Sequence, residues 1–127
     1  MAQTRETRTV AHPALLAVGL DPCVMAWKQP VGLFRALTDP DRKVMVGTPG
    51  QSDAIMVVKV VITPDMVGKQ IGVAVAPEFK TPKGKQADHQ KDWKRAFEAR
   101  GGIYRLIRSA ADMLQLVNDV KTGKAFR

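Results

Sequence analysis

Cysteine and histidine are scarce in this sequence, where Cys23 is the single cysteine and His12 and His89 are the two histidines. One cysteine excludes an internal disulfide, and these three residues cannot complete a four-ligand zinc site. The fold therefore cannot depend on a disulfide or on structural zinc, and the chain suits a reducing compartment.

Long apolar runs are missing as well. No run approaches the roughly 18 residues that a membrane-spanning helix requires. The first twenty residues include Arg5, Arg8 and Pro13 in place of the apolar core of a secretory signal. We therefore expect no membrane partner and a cytoplasmic location. The sequence contains no complete P-loop, so we also expect no nucleotide cofactor.

Acidic residues are few relative to basic ones. Twelve Asp and Glu stand against 20 Lys and Arg, which gives a net charge of +8 in 127 residues. A field of this sign attracts polyanions, with nucleic acid as the leading candidate, although an anionic membrane surface or a need for solubility would also explain it. Length and a hydrophobic content of 45% are typical of one globular domain, which we expect to span 1–127.

The pattern of apolar residues predicts a mixed α and β fold. In chain order the predicted elements are a short helix over 10–20, a strand or open hairpin over 23–37, strands over 43–46, 54–63 and 71–80, a helix from Asp88 to Gly101-Gly102, a strand over 103–108 and a helix capped at Ser109. The order is approximately αβββαβα, with room for one extra early strand, in one mixed sheet with helices against it. The β-branched run over 54–63 predicts a central strand buried on both faces, which we expect to form a hairpin with 71–80.

The segment Glu78-Phe79-Lys80 is the most informative feature. Alternation along a strand places Glu78 and Lys80 on one face and Phe79 on the other. The earlier positions on the Glu78 face hold only glycine and alanine, which leave room for a metal and a phosphate. A carboxylate beside an ammonium is expected where a hard cation is held and a lysine assists phosphoryl hydrolysis.

Two further polar residues are candidates for the same site. Asp53 follows a loop of glycine and proline, and a hairpin would bring it to Glu78 as a second carboxylate for Mg²⁺; otherwise it is an ordinary turn residue. Gln90 lies on the helix stripe of Trp93 and Phe97, so it either points at the site or bonds the backbone at the helix start. We interpret Trp93 as core rather than as a stacking platform.

Two other residues receive no functional assignment. Trp27 is also interpreted as core. His89 stands beside Asp88 at a predicted helix start, where a histidine is more often a surface residue than a general base.

An ordered series of motifs resembles the VRR-NUC (virus-type replication-repair nuclease) domain family of the PD-(D/E)XK nuclease superfamily. The series consists of Gly50-Gln51-Ser52-Asp53, PEFKTPKGK over 77–85, Gln90, and GGIYRLIRS over 101–109. The match covers about 47–120. The resemblance implies a restriction-endonuclease-like core and hydrolysis of DNA with Mg²⁺ or Mn²⁺ as cofactor.

The resemblance also implies roles for individual residues. Asp53, Glu78 and the Phe79 carbonyl would bind the metal, Lys80 would be the catalytic lysine, and Gln90 would be the motif glutamine. The sequence departs from the family at Ser52, where proline is usual. Glu6 is the only candidate for the glutamate that the family carries on its first helix.

Basic residues around the motifs are candidates for contact with DNA. They are Lys83, Lys85, Lys91, Arg105 and Arg108. Stand-alone relatives imply a phage- or prophage-encoded homodimer that acts in a bacterial host on branched DNA such as four-way (Holliday) junctions. Two other classes of function stay open. The first is a non-catalytic nucleic-acid-binding module of a phage replication or repair complex, in which Glu78 and Lys80 form a structural ion pair. The second is a small interaction protein that binds no DNA.

Overall fold

The computed structural model describes residues 4–5 and 7–127, so Glu6 lies outside the described residues. The chain divides into two compact units, Met1–Met56 and Val57–Arg127. The expectation of a single domain stays a prediction, and each unit is described by itself. No described helix is long and apolar enough to cross a bilayer.

The N-terminal unit begins with a π-helical turn, Thr7–Ala11, that leads into α1 (His12–Val18). Pro13 lies in the first turn of α1, where a helix tolerates proline because the amide there has no intrahelical partner. The strands that follow are β1 (Val24–Lys28), β2 (Gly32–Arg35), β3 (Lys43–Val46) and β4 (Ala54–Val58). β2 and β3 form an antiparallel pair with Gly32 opposite Val46, and β1 pairs with β4. The predicted strand or open hairpin over 23–37 is therefore two strands, each paired with a later one.

The strand predicted over 54–63 is shorter than expected. It ends at Val58, and residues 59–63 belong to no strand. Val60, Val61 and Ile62 are 60%, 79% and 66% exposed. The predicted central strand buried on both faces is thus wrong, because Val57 is the buried residue of β4 while Met56 and Val58 are 54% and 49% exposed. A β-branched composition favours extended backbone without supplying a partner strand.

The C-terminal unit contains β5 (Val75–Phe79), α2 (Asp88–Ala99), β6 (Ile103–Ile107) and α3 (Ala110–Lys121). Single 3-10 turns occupy Pro64–Met66 and Lys124–Phe126. β5 and β6 are parallel, from Val75 opposite Ile103 to Phe79 opposite Ile107. A parallel pair needs a crossover connection, which α2 supplies.

The pairing of β5 with β6 corrects the expected topology. The predicted hairpin between 54–63 and 71–80 is wrong, because β5 pairs only with β6 among the described strands. Five described strands precede α2, where three or four were expected, and three two-stranded sheets replace one mixed sheet. The mixed α and β class is confirmed.

Alternation along β6 divides the core of the C-terminal unit between two helices. Ile103 and Ile107 pack with Leu116 of α3, all three at 8% exposure or less. Tyr104 faces the other way, toward α2, where Phe97 is 2% exposed. Burial of each large apolar side chain stabilises the fold by about 1.5–3 kcal/mol.

Two glycines end α2. Gly101 adopts a φ of 84°, in the left-handed region that favours glycine. The Gly101 N–H donates to the Glu98 carbonyl at 3.0 Å and the Gly102 N–H to the Phe97 carbonyl at 3.1 Å, which is the Schellman pattern. A Cβ on Gly102 would lie 2.5 Å from carbons of the Phe97 ring. The helix thus turns into β6 directly over a buried aromatic ring.

We therefore expect Gly102→Ala to lower the free energy of unfolding by about 1–3 kcal/mol, because the methyl group overpacks against Phe97. Gly72→Ala is the matched control, since a Cβ there meets nothing within 4 Å. Urea unfolding followed by circular dichroism measures both. Equal stability of the two variants would contradict the packing at Gly102.

Candidate active site

Glu78 lies near the carboxyl end of β5, on the face that α2 covers, and its side chain is 26% exposed. The Gln90 amide Nε2 donates to Glu78 Oε1 at 2.5 Å, and the Tyr104 hydroxyl donates to Oε2 at 3.2 Å. Lys80 Nζ lies 3.5 Å from Oε1. The carboxylate is therefore held by one residue each from β6 and α2 and by a lysine at the end of its own strand. Hydrogen bonds to an ionised acceptor are stronger than neutral ones, so the orientation of Glu78 is well defined.

Gln90 performs both of the roles that the sequence left open. Its Oε1 accepts from the Ala87 N–H at 2.9 Å while its Nε2 donates to Glu78. Asp88 is the first residue of α2, and Ala87 is the N-cap. The Gln90 side chain thus accepts from the N-cap amide, which is one half of a capping box, and alanine has no side-chain oxygen to supply the other half.

Two substitutions separate the roles of Gln90. Gln90→Ala loses both hydrogen bonds, whereas Gln90→Glu keeps the acceptor for Ala87 and places a second carboxylate against Glu78. Two adjacent carboxylates raise the pKa of the pair in the folded state. The free energy of unfolding of this variant is therefore higher at low pH, where the pair is protonated, and falls as the pH rises and the pair ionises.

We therefore expect the loss of unfolding free energy in Gln90→Glu to grow as the pH rises from about 5 to 8. The loss in Gln90→Ala, about 1 kcal/mol, should change little over the same range. Urea unfolding of both variants at several pH values measures the difference. Parallel pH curves would contradict the contact between Gln90 and Glu78.

Tyr104 joins the site through a contact with Glu78 that the sequence did not predict. It is 6% exposed, and its ring lies 6.0 Å from that of Trp93 and 5.9 Å from Lys94 Nζ. Burial raises the pKa of the Tyr104 phenol, and the charge of Glu78 acts in the same direction, while Gln86 opposes it. The phenol therefore stays protonated and able to donate to Glu78.

Tyr104 is the only tyrosine, so alkaline titration of the phenol absorbance reports on it alone. We expect a midpoint above the usual value near 10, and a lower midpoint in Glu78→Gln because the neighbouring negative charge is gone. A raised native pKa contributes stability that is complete below the unfolded pKa and is lost as the pH rises through the native one. A midpoint that Glu78→Gln leaves unchanged would contradict the contact.

The carbonyls of the two residues that flank Glu78 in β5 lie outside the pairing with β6. The Lys80 N–H donates to the Ile107 carbonyl of β6 at 3.1 Å. Backbone groups of alternate residues point to the same edge of a strand, so those of Pro77 and Phe79 point away from β6. Proline is tolerated there because that edge requires no donor. The Phe79 carbonyl is thus an oxygen donor one residue from the Glu78 carboxylate.

The oxygen donors suit a hard cation in kind. Mg²⁺ is usually bound by one or two carboxylates together with waters and substrate phosphate. Glu78 and the Phe79 carbonyl provide two such oxygens on adjacent residues. Within 4–5 and 7–127, no group of three or more His, Cys, Asp or Glu side chains could hold a metal ion.

Asp53, the second predicted carboxylate, belongs to the N-terminal unit. It is exposed and directly precedes β4, and its carbonyl accepts from the Gln29 N–H at 2.8 Å. With Lys28 and Gln51 among its neighbours, it lines a cavity of about 470 Å³. The partnership of Asp53 with Glu78 stays a prediction.

The basic residues predicted to contact DNA differ in their surroundings. Lys83 and Lys85 are exposed, and Lys91 Nζ lies 3.9 Å from Asp88 of the same helix. Arg108 is part of the structure of the 81–84 turn. Its Nη1 donates to the carbonyls of Thr81, Pro82 and Gly84 at 2.7, 3.3 and 2.8 Å. Arg108 therefore positions the segment that carries Lys83 and Lys85.

Arg105 is likewise engaged within the protein. Its Nη1 lies 3.5 Å from Oδ2 of Asp119, which is 5% exposed on α3. The Gln115 amide donates to the other oxygen at 2.8 Å, and this bond, ahead of the charges of Lys124 and Arg105, lowers the pKa of Asp119. An ionised Asp119 partly neutralises Arg105, so Arg105 offers less charge to a phosphate than a free arginine.

A cavity of about 650 Å³ opens beside Glu78. It is lined by Ala76, Pro77, Glu78, His89, Gln90, Trp93 and Tyr104. The interpretation of Trp93 as core is wrong, because Trp93 is 37% exposed while Phe97, one turn later, is 2% exposed. Trp27 is half-buried in β1. His89 is exposed, as expected, but it stands at the cavity.

The sequence matches no protein-family model, and comparisons with curated proteins and with solved structures give no match. The resemblance to VRR-NUC domains therefore stays a prediction.

Proposed function

We propose that this chain is a metal-dependent nuclease that hydrolyses phosphodiester bonds in DNA, with its reaction centre at Glu78 and Lys80. One observation carries the proposal. The Glu78 carboxylate and the Lys80 ammonium lie 3.5 Å apart at the end of β5, and Gln90 and Tyr104 orient the carboxylate from two other elements. An acid and a lysine that are oriented in this way beside an open cavity suit phosphoryl transfer chemistry.

Each residue of the site has a proposed task. Glu78 and the Phe79 carbonyl would hold Mg²⁺ or Mn²⁺, and such an ion supplies positive charge against the phosphate. Asp53 as a second carboxylate is proposed from the resemblance alone. The Lys80 ammonium, 21% exposed, can donate to a phosphate oxygen or to the attacking water. Gln90 and Tyr104 act as positioning residues, because they touch Glu78.

The charge distribution supports DNA as the substrate. A net charge of +8 attracts the phosphate backbone, and the turn fixed by Arg108 presents Lys83 and Lys85 a few residues beyond Lys80. The charges of Lys91, Arg105 and Arg108 would add to the attraction for phosphates that lie close to them. We further propose, from the resemblance alone, a homodimer that cuts branched DNA such as four-way junctions in a bacterial host. Two-fold symmetry would supply two cuts.

We expect Lys80→Met to lose cleavage by about 100-fold or more, because removal of one donor aimed at developing charge typically has that effect. The substrates are labelled four-way junction, flap and linear duplex with Mg²⁺, Mn²⁺ or EDTA. Lys69→Met is the matched control, an exposed lysine of the same unit outside the site. Circular dichroism checks that both variants fold. Cleavage by Lys80→Met at the native rate would contradict the proposal.

A second candidate function is a nucleic-acid-binding module without catalysis. It is favoured by the complete pairing of Glu78, whose two oxygens both accept hydrogen bonds and one of which also contacts Lys80. On this view the cluster stabilises the contact between β5, α2 and β6. DNA binding that depends steeply on salt but not on Mg²⁺, with intact product strands, distinguishes this candidate from the nuclease.

A further inference from the structure

The cavity beside Glu78 has an aromatic wall that hydrolysis itself does not require. We propose that this cavity binds one unstacked nucleobase of the DNA substrate, with the base stacked on Trp93. The inference rests on the proposed function, because it assigns a substrate class to the same site. The favoured substrates would be DNA with an unpaired nucleotide next to the cleaved phosphate.

The ring of Trp93 is fixed in position by two neighbouring aromatic rings. Its ring stacks on Phe97 with centroids 4.8 Å apart and planes 18° apart, and it is tilted by 54° against Tyr104 at 6.0 Å. Phe97 and Tyr104 are buried at 2% and 6% exposure, so the support is rigid. An aromatic ring already fixed by its neighbours loses little conformational freedom when a ligand stacks on it.

Trp93 also keeps accessible surface in the right place. It is 37% exposed and lines the same cavity as Glu78 and Gln90. The cavity volume of about 650 Å³ lies within the range of small-molecule sites and exceeds what a metal ion and a phosphate need. The apolar surface that Trp93 leaves open to solvent beside Glu78 is surface that a bound base would cover.

The chemistry of the walls favours a nucleobase over other ligands. Every base has a flat π-face, so stacking on an aromatic side chain tolerates sequence. The Glu78 and Lys80 pair at the end of β5 marks the place of the phosphate, and His89 and Pro77 border the remaining space. A base enters such a cavity only after it leaves its stack, which costs least where it is already unpaired.

Fluorescence provides the test, because the chain has two tryptophans and Trp27→Phe leaves Trp93 as the only one. The probes are a thymidine oligonucleotide and an oligonucleotide of equal length with abasic sites at its centre, both in EDTA. We expect saturable quenching of Trp93 by the first probe. Removal of the bases should weaken binding by roughly 5- to 100-fold, the range expected for loss of one stacked base.

Variants at Trp93 test whether its ring is the surface on which the base stacks. Because these variants lack the Trp93 signal, their binding is followed by the fluorescence anisotropy of dye-labelled probes. Trp93→Leu should bind both probes equally, and Trp93→Phe should keep part of the difference because a ring remains. Phe126→Leu, which removes an aromatic ring 57% exposed elsewhere in the unit, should behave as the native protein. Unfolding curves show whether Trp93→Leu is folded, and Trp93→Phe carries the test if it is not.

The outcomes separate this inference from the nuclease proposal. Equal binding of both probes by the native protein overturns the inference, as does undiminished discrimination in a folded Trp93→Leu. Metal-dependent cleavage together with equal binding leaves the nuclease standing without a base site. Base-dependent quenching by a protein that cleaves nothing supports the base site and overturns the nuclease.

Discussion

The parallel pairing of β5 with β6 determines the surroundings of Glu78. Because the strands run in the same direction, Ala76 lies opposite Tyr104, and the tyrosine hydroxyl reaches the carboxylate two residues further along β5. The same direction requires a crossover, and the crossover helix α2 brings Gln90 to the other carboxylate oxygen. An antiparallel pairing of β5 with β6 would not need α2 as a crossover and would change which β6 residue lies beside Glu78. The cluster around Glu78 is thus a product of topology as much as of residue type.

Local features of the sequence predicted several ends and faces of elements. Gly101 and Gly102 end α2, Ser109 Oγ accepts from the Asp112 N–H at 3.1 Å to begin α3, and Glu78 and Lys80 share a face of β5. Each of these depends on neighbours within a few residues. Local preference is enough to fix such features, because the turn, cap or alternation is complete within the segment itself.

Partners remote in sequence were not predictable in the same way. The run over 59–63 has the composition of a buried strand, yet it remains exposed and outside any strand. Composition favours an extended backbone but does not select which strand pairs with it. For the same reason the contact of Tyr104 with Glu78 was not predicted, because it depends on the register of β5 against β6. The wrong hairpin also has this cause. Gln90 was ambiguous for another reason, because its amide group accepts and donates at once: Oε1 accepts from the Ala87 N–H and Nε2 donates to Glu78.

Pro77 has a consequence for solubility. β5 pairs with β6 along one edge, and its opposite edge carries no partner strand among the described residues. Open edges invite pairing with other chains, which leads to aggregation. Pro77, at the middle of that edge, offers no N–H to an incoming strand, so a continuous ladder of hydrogen bonds cannot form there. The residue before Glu78 therefore protects the edge from intermolecular β-pairing.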